Sequence, residues 1–281
     1  MKLCNLFKTW LEMLQRIAEN ELGVSNPSFS QYMEFRRKCL EFPVNVKVSP
    51  EIYLRKEYIS VVNDIVRSLK SGNGISMYLS KRARELKKDG MFIHFGILHL
   101  HLNKKIGNRI VDIARNSGTT LQIYYSEGTV YIFNFGRHGR GAYTNINDVQ
   151  KLYDVFPEAL ENRILCSDDN AANNLSSDDI YKARKSNGTT VVYIKDKDES
   201  TITLRPYLLT TLSNDDYILY QKLNEKFIEL GNRLYKRGYR ELVIKRDFEN
   251  NEFIIMDAKN DMILYNFNND DLINDIVKSF I

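Results

Sequence analysis

Residues 119–135, TTLQIYYSEGTVYIFNF, form two runs of β-branched and aromatic residues separated by a short turn that contains Gly128. Two such runs joined by a glycine-containing turn predict a β-hairpin. The second run leads directly into the segment 136–141, GRHGRG, which holds two arginines and His138. Because loops at strand ends commonly carry functional groups on a rigid support, we predict that His138 is presented at the end of this hairpin.

Three of the four histidines of the chain lie just upstream, in the run 92–102, FIHFGILHLHL. Side chains alternate along a strand, so His99 and His101 are predicted to share one face, with leucines on the other face toward the core. Histidine titrates near neutral pH and serves as general base, general acid or metal ligand. We therefore predict a site built from His99, His101 and His138, whereas His94 is better interpreted as a structural residue.

Positive charge is concentrated around these histidines. Residues 81–140 contain eleven lysines and arginines against four acidic residues, whereas 141–281 carry a net charge of −6 in a chain of net charge +4. Basic clusters are typical of polyanion sites, because neutralising phosphates releases condensed counterions. The residues predicted to bind RNA or its phosphates are Lys104, Lys105, Arg109, Arg137 and Arg140, with Tyr125 and Tyr143 as candidate base-stacking residues. Tyrosine is abundant in this chain, so core packing is the alternative for these two rings.

The hydrophobic pattern predicts an α+β protein with three consecutive regions. Residues 1–88 are predicted to be mainly helical, beginning with an amphipathic helix over 3–17. Residues 89–160 are predicted to form a central antiparallel sheet that bears the histidines, and 180–281 a C-terminal α+β region. Further predicted elements are a helix from Ser49 and Pro50 to the stop at Gly72, helices over 75–88, 146–156 (capped by Asn147 or Asp148), 215–236 and 269–280, and strands over 189–194, 201–204, 241–246, 252–257 and 261–266.

The composition excludes several classes of protein. With 43% hydrophobic and 27% charged residues among 281, the chain is typical of a soluble globular protein. Its three cysteines, at 4, 39 and 166, are widely spaced, which argues against a disulfide framework or a cysteine zinc site and fits a reducing compartment. The sequence shows neither the apolar core of a signal peptide nor an apolar run long enough to span a bilayer. We therefore expect a cytoplasmic protein with no membrane partner.

The chemistry available to clustered histidines and arginines is RNA cleavage. RNA supplies its own nucleophile, the 2′-hydroxyl, so the reaction needs a base, an acid and cations, but no metal or cofactor. Histidines suit both proton transfers, each contributing about 10²–10⁴-fold, and arginines match the geometry of a phosphate. We therefore predict a metal-independent endoribonuclease in which His99, His101 and His138 are catalytic. Phosphate-loop, dinucleotide-binding, nucleophile-elbow and zincin motifs are not found in the sequence.

The hairpin segment resembles the closing hairpin of the RelE/YafQ-type endoribonuclease toxins, which end in the pattern L-x-Y-x…x-L-x-L-x-x-x-G-T-H. The corresponding residues are LQIYY at 121–125, GTVYIFNFG at 128–136, and then Arg137 and His138. This resemblance, over residues 95–145, implies a RelE-like sheet and a role as a toxin or in phage defence. It also implies that His138 is the terminal catalytic histidine, with His99 and His101 as the earlier ones.

The same resemblance implies a protein partner, an antitoxin or the ribosome, for which the acidic C-terminal half would provide the contact surface. The segment GILHLHL at 96–102 is also similar to the G-I-x-H-x-H-L strand of uncharacterised bacterial proteins found on mobile elements. That second similarity implies no activity.

Two alternatives remain open. Three imidazoles could form a zinc or other metal site, although the arginines beside His138 disfavour a cation. The chain could instead be a non-catalytic defence or toxin–antitoxin interaction module. Two differences from the toxin pattern favour this second alternative: Gly118-Thr119 replaces Asp-Trp before the first strand, and Gly139-Arg140 replaces the acidic residue after the terminal histidine.

Overall fold

The computed structural model contains several helices and mainly antiparallel sheets, so the fold class is α+β, as predicted. No helix in the part of the chain that the structure describes is long and apolar enough to cross a membrane. The described residues are 6–84, 89–137, 145–167, 176–185, 190–207, 213–247, 250 and 252–268.

The chain divides into two compact units, one formed by Met1–Arg37 with Leu212–Phe280 and the other by Lys38–Thr211. The first unit thus joins the two ends of the chain. This division differs from the three consecutive regions expected from the sequence, 1–88, 89–160 and 180–281. Hydrophobic periodicity reports the elements themselves but not which of them pack together across a long separation in sequence.

The helices are α1 (Leu6–Leu22), α2 (Phe29–Cys39), α3 (Ile59–Ser71), α4 (Lys81–Arg84), α5 (Gly90–Phe95), α6 (Ile146–Val155), α7 (Ser177–Lys185) and α8 (Ser213–Lys236). Short 3₁₀ helices occupy Pro50–Leu54, Lys56–Tyr58, Ser76–Tyr78 and Pro157–Arg163. The strands are β1 (Asn45–Val48), β2 (Ile97–His101), β3 (Asn103–Ile106), β4 (Arg109–Asp112), β5 (Thr119–Ser126), β6 (Thr129–Arg137), β7 (Ile164–Ser167), β8 (Val192–Lys195), β9 (Thr201–Leu204), β10 (Leu242–Asp247), β11 (Glu252–Asp257) and β12 (Met262–Asn268).

The first unit is built around α1. The apolar positions predicted for one face of this helix are all buried: Leu6, Phe7, Trp10, Leu14 and Ile17. The Trp10 ring centroid lies 5.4 Å from that of Phe227 on α8 and 6.4 Å from that of Phe253 on β11. Strands β10, β11 and β12 form the antiparallel meander that the sequence predicted. The predicted terminal helix over 269–280 lies outside the described residues.

The second unit contains the central sheet, a four-stranded sheet of order β1-β6-β5-β2. Its β5–β6 hairpin is the predicted one, and its two turn residues have positive φ, 47° at Glu127 and 78° at Gly128. Two central residues with positive φ are typical of a type I′ turn, whose twist matches that of the strands. Strand β2 pairs antiparallel with β5, and β1 pairs parallel with β6. A further antiparallel sheet has the order β7-β9-β8, of which the sequence predicted β8 and β9.

The segment that leads to the histidine strand differs from its prediction. Within the described part of the predicted helix over 75–88, the structure has a 3₁₀ turn at Ser76–Tyr78 and helix α4 at Lys81–Arg84; residues 85–88 lie outside the described residues, and α5 begins at Gly90. Asp89 caps α5, because its Oδ1 accepts hydrogen bonds from the backbone N–H groups of Met91 and Phe92. His94 therefore lies on a helix rather than on a strand. Gly96 ends α5 in the left-handed conformation, with φ 75°, and β2 begins at the next residue.

Two other helix starts also differ from their predictions. The helix expected from Ser49 and Pro50 begins as two 3₁₀ turns, and the α-helix proper starts at Ile59; Gly72 ends it as predicted, with φ 75°. The N-cap of α6 is Asn145, not Asn147 or Asp148. The Asn145 side chain accepts a hydrogen bond from the backbone N–H of Asn147, at 3.2 Å.

Candidate functional site

His99 and His101 lie on the same face of β2, as the alternation predicted. On the neighbouring strand β5, His99 is opposite Gln122 and His101 is opposite Thr120. The leucines between and beside them are buried on the other face. The two histidines therefore belong to one polar strip at one end of the central sheet.

His101 is held by a carboxylate. Its Nδ1–H donates a hydrogen bond to Oδ2 of Asp112 at 2.8 Å, and the two side chains are 23% and 20% exposed. The other oxygen of Asp112 accepts the backbone N–H of Ala114 at 3.0 Å, which fixes the carboxylate itself. A carboxylate that accepts a hydrogen bond from Nδ1–H sets the tautomer of the imidazole and makes Nε2 the basic nitrogen. This is the arrangement expected of an oriented general base.

His99 has a different environment. Its side chain is only 9% exposed, and its Nδ1 lies 3.7 Å from Oδ2 of Asp89, the residue that caps α5. His99 thus lies on the predicted face but beneath the surface, so His101 is the more solvent-exposed member of the pair. His94 is also buried, and its backbone carbonyl accepts the N–H of Tyr207 at 3.2 Å, in keeping with a structural residue.

A buried polar network continues the strip across the sheet. Gln122 on β5 donates from Nε2 to Oδ2 of Asp148 on α6 at 2.9 Å, and Asn134 on β6 donates to Oε1 of Gln122 at 2.8 Å. Asn134 also approaches Oδ1 of Asp148 at 3.4 Å. Burial raises the pKa of the Asp148 carboxyl, while the hydrogen bonds from Gln122 and Asn134 oppose that rise. Sequence reasoning missed this network, although both amides interrupt apolar runs at paired positions of the hairpin.

Replacing Asp148 with asparagine is expected to change how stability depends on pH. A folded-state pKa above the unfolded one means that Asp148 stabilises the fold below its unfolded pKa of about 4 and loses that contribution as pH rises. The free energy of unfolding of the wild type minus that of Asp148→Asn is therefore expected to decrease as the pH rises from acid to neutral. Urea unfolding at several pH values measures it.

The matched control for this prediction is Asp154→Asn, which removes an exposed carboxyl of the same helix. It is expected to change stability at neutral pH by less than about 0.5 kcal/mol. If the advantage of the wild type over Asp148→Asn instead increases as pH rises, the two amide donors outweigh burial, and folding lowers the pKa of Asp148 rather than raising it.

Strands β3 and β4 form a two-stranded ribbon that the sequence analysis did not predict. It carries the three predicted phosphate-binding residues Lys104, Lys105 and Arg109, all of them exposed. Lys105 is opposite Ile110, and Arg109 is opposite Ile106, so each face of the ribbon combines a cation with an exposed aliphatic side chain. The ribbon begins two residues after His101 and ends at Asp112, so it extends from the histidine–carboxylate pair itself.

The remaining predicted residues fall into two groups. Arg137 is exposed at the end of β6, opposite Thr119, and the alternation places it on the face opposite to His101 but at the same end of the sheet. His138, Arg140 and Tyr143 lie outside the described residues.

The structure corrects the prediction for Tyr125. This side chain is 9% exposed, and its ring packs edge-on against Phe42 with centroids 6.0 Å apart. Burial raises its pKa. Tyr125 is therefore a core residue and does not offer a face for base stacking, because β5 is buried on both of its faces.

Within the described residues, no group of three or more histidine, cysteine, aspartate or glutamate side chains is arranged to hold a metal ion. The three-histidine metal alternative includes His138, so it is not tested by this finding.

Comparisons with protein-family models, with curated proteins and with solved structures found no match. A function can therefore be inferred only from the geometry of the His101–Asp112 pair and its surroundings.

Proposed function

We propose that the protein is a cytoplasmic, metal-independent endoribonuclease of the toxin or phage-defence type, with His101 as an acid/base catalyst. The observation that carries this proposal is the 2.8 Å hydrogen bond from His101 to Asp112 at a partly exposed position. An imidazole oriented by a carboxylate, with exposed cations on the adjoining ribbon, suits proton transfer on a bound phosphodiester.

In the proposed reaction, Nε2 of His101 removes the proton from a ribose 2′-hydroxyl, while Asp112 stabilises the imidazolium that forms. The 2′-oxygen attacks phosphorus and the bond to the 5′-oxygen breaks, which leaves a 2′,3′-cyclic phosphate on one fragment. The departing 5′-oxygen takes a proton from a second group and becomes a 5′-hydroxyl. His138 is our candidate for this general acid, because it directly follows Arg137, whose strand ends beside Thr119.

Charge supports the choice of RNA as substrate. Lys104, Lys105 and Arg109 extend from the catalytic pair on the ribbon, and Arg137 lies at the same end of the sheet. Cations at this end of the sheet and on the ribbon bind the RNA backbone on either side of the reacting phosphate. His99 is proposed to support the site from beneath the surface, next to Asp89. A protein partner, an antitoxin or the ribosome, is proposed for the acidic half at 141–281.

The test of this proposal is to incubate the purified protein with RNA in the presence of EDTA. We expect cleavage products with 2′,3′-cyclic phosphate and 5′-hydroxyl ends. RNA that stays intact although it is bound would contradict the proposal and favour the non-catalytic interaction module. Cleavage that EDTA abolishes would instead favour a metal site.

A further inference from the structure

A cluster of three hydroxyl groups lies on the opposite face of the central sheet, at the same end as His101. The Tyr58 hydroxyl lies 3.4 Å from Oγ of Ser117, and Ser117 Oγ lies 2.8 Å from Oγ1 of Thr119. Ser117 Oγ also accepts the backbone N–H of Thr119 at 3.3 Å and donates to the carbonyl of Ala114 at 3.0 Å. The proposed reaction uses none of these groups.

An arginine is fixed beside this cluster. The guanidinium of Arg55 lies over the Tyr58 ring, 5.2 Å from its centroid, and over the Phe135 ring at 5.6 Å. The centroids of these two rings are 5.5 Å apart and their planes are inclined by 48°, so Arg55 contacts two adjacent rings. Nε of Arg55 also contacts Oε1 of Glu57 at 2.7 Å. A guanidinium held by cation–π contacts loses less freedom when it binds an anion, and its planar fork matches the oxygens of a phosphate.

A second arginine faces the same cluster. Phe135 and Arg137 are two residues apart on β6 and therefore point to the same face, and Arg137 is opposite Thr119. The two rings with Arg55, the three hydroxyls and Arg137 therefore lie on one face of the sheet, at the same end of the β5–β6 hairpin. The hydrogen bonds from Ser117 and Thr119, together with Arg55, hold the pKa of Tyr58 below its ordinary value, so the cluster favours negative charge on oxygen.

We propose that Arg55, Arg137 and the hydroxyl of Ser117 bind a backbone phosphate of the RNA, next to the phosphate attacked at His101. This inference rests on the proposed function, because it assigns a second subsite to the same substrate. Arginine forks and hydroxyl groups are the usual protein contacts to phosphate oxygens. When the phosphate binds, the Ser117 proton turns from the carbonyl of Ala114 to a phosphate oxygen.

The sheet geometry allows one RNA strand to reach both subsites. His101 is opposite Thr120, and Arg137 is opposite Thr119, the preceding residue of β5. Strand β5 lies between β2 and β6, and neighbouring strands are about 4.8 Å apart, so the strands that carry the two subsites are about 10 Å apart. RNA that crosses this end of the sheet meets the catalytic pair on one face and the arginines on the other.

The test measures RNA binding in a His101→Ala background, so that cleavage does not interfere. A labelled single-stranded oligoribonucleotide is titrated by fluorescence anisotropy over a series of salt concentrations. Arg55→Gln is expected to weaken binding by about tenfold and to reduce the slope of log K against log salt by about 0.7, the value for one phosphate contact on a single strand. Ser117→Ala is expected to weaken binding less and to leave the slope unchanged, because it removes no charge.

Arg67→Gln is the matched control, since Arg67 is an exposed arginine that pairs with Asp64 at 3.1 Å on α3. Equal slopes for Arg55→Gln and Arg67→Gln would overturn the inference, whatever the cleavage activity. If the parent protein neither binds nor cuts RNA, the proposed function fails separately. The subsite is then tested with inorganic phosphate: a saturable NMR shift of the Arg55 Nε–H resonance that Arg137→Gln weakens supports it, and an unchanged resonance overturns it.

Discussion

Replacing His101 with alanine is expected to lower the rate of RNA cleavage by about 10²–10⁴-fold, the contribution of one general acid or base. The imidazole is the group that Asp112 orients at the surface, so its loss removes the proton acceptor for the 2′-hydroxyl. RNA affinity is expected to stay within about twofold, because the cations of the ribbon and of β6 remain in place. Single-turnover cleavage in EDTA and anisotropy titrations measure the two quantities separately.

Asp112→Asn is the companion variant. Asparagine retains an oxygen that can accept the N–H of Ala114, as Oδ1 of Asp112 does at 3.0 Å, but it lacks the negative charge that stabilises the imidazolium. With that oxygen on Ala114, the amide NH2 faces Nδ1 of His101 and places the imidazole proton on Nε2, so cleavage is expected to fall by about 10²–10⁴-fold, as in His101→Ala. Wild-type rates in a folded His101→Ala protein would assign the chemistry to another group and end the proposal for this residue.

Local patterns were sufficient to predict much of the fold. The β5–β6 hairpin, the buried face of α1 and the β10–β12 meander follow from periodicity and turn residues, which are properties of short windows. The common face of His99 and His101 follows in the same way from the alternation along β2. Strand β1 was not predicted, because its four residues gain their structure by parallel pairing with β6, far away in the sequence.

The site was predictable only in part. The histidines and cations were found by composition, but the carboxylate that orients His101 belongs to the unpredicted β3–β4 ribbon. One signal for this ribbon was present, since Gly107-Asn108 is a two-residue sequence typical of hairpin turns and Gly107 has φ 58°. The different burial of His99 and His101 depends on tertiary packing near Asp89, which no local pattern reports.

Replacing Gly96 with alanine is expected to lower the free energy of unfolding of the second unit by about 2–5 kcal/mol. Gly96 ends α5 with φ +75°, a conformation that is unfavourable for residues with a Cβ. An added Cβ would also lie 2.7 Å from Cε2 of Tyr124 and would overlap the ring of Tyr207. Both rings pack on each other and on their neighbours, so neither can move away cheaply. Chemical denaturation at neutral pH measures the loss.

Gly128→Ala separates the two causes of this loss. Gly128 also has a positive φ, +78°, but a Cβ added there would have no heavy atom within 4 Å. Its substitution is therefore expected to cost only the backbone conformational strain, about 1–2 kcal/mol. The additional loss in Gly96→Ala then measures the close approach of the two tyrosine rings. Equal losses in the two variants would mean that the rings of Tyr124 and Tyr207 move aside for the added Cβ at no cost in free energy of unfolding.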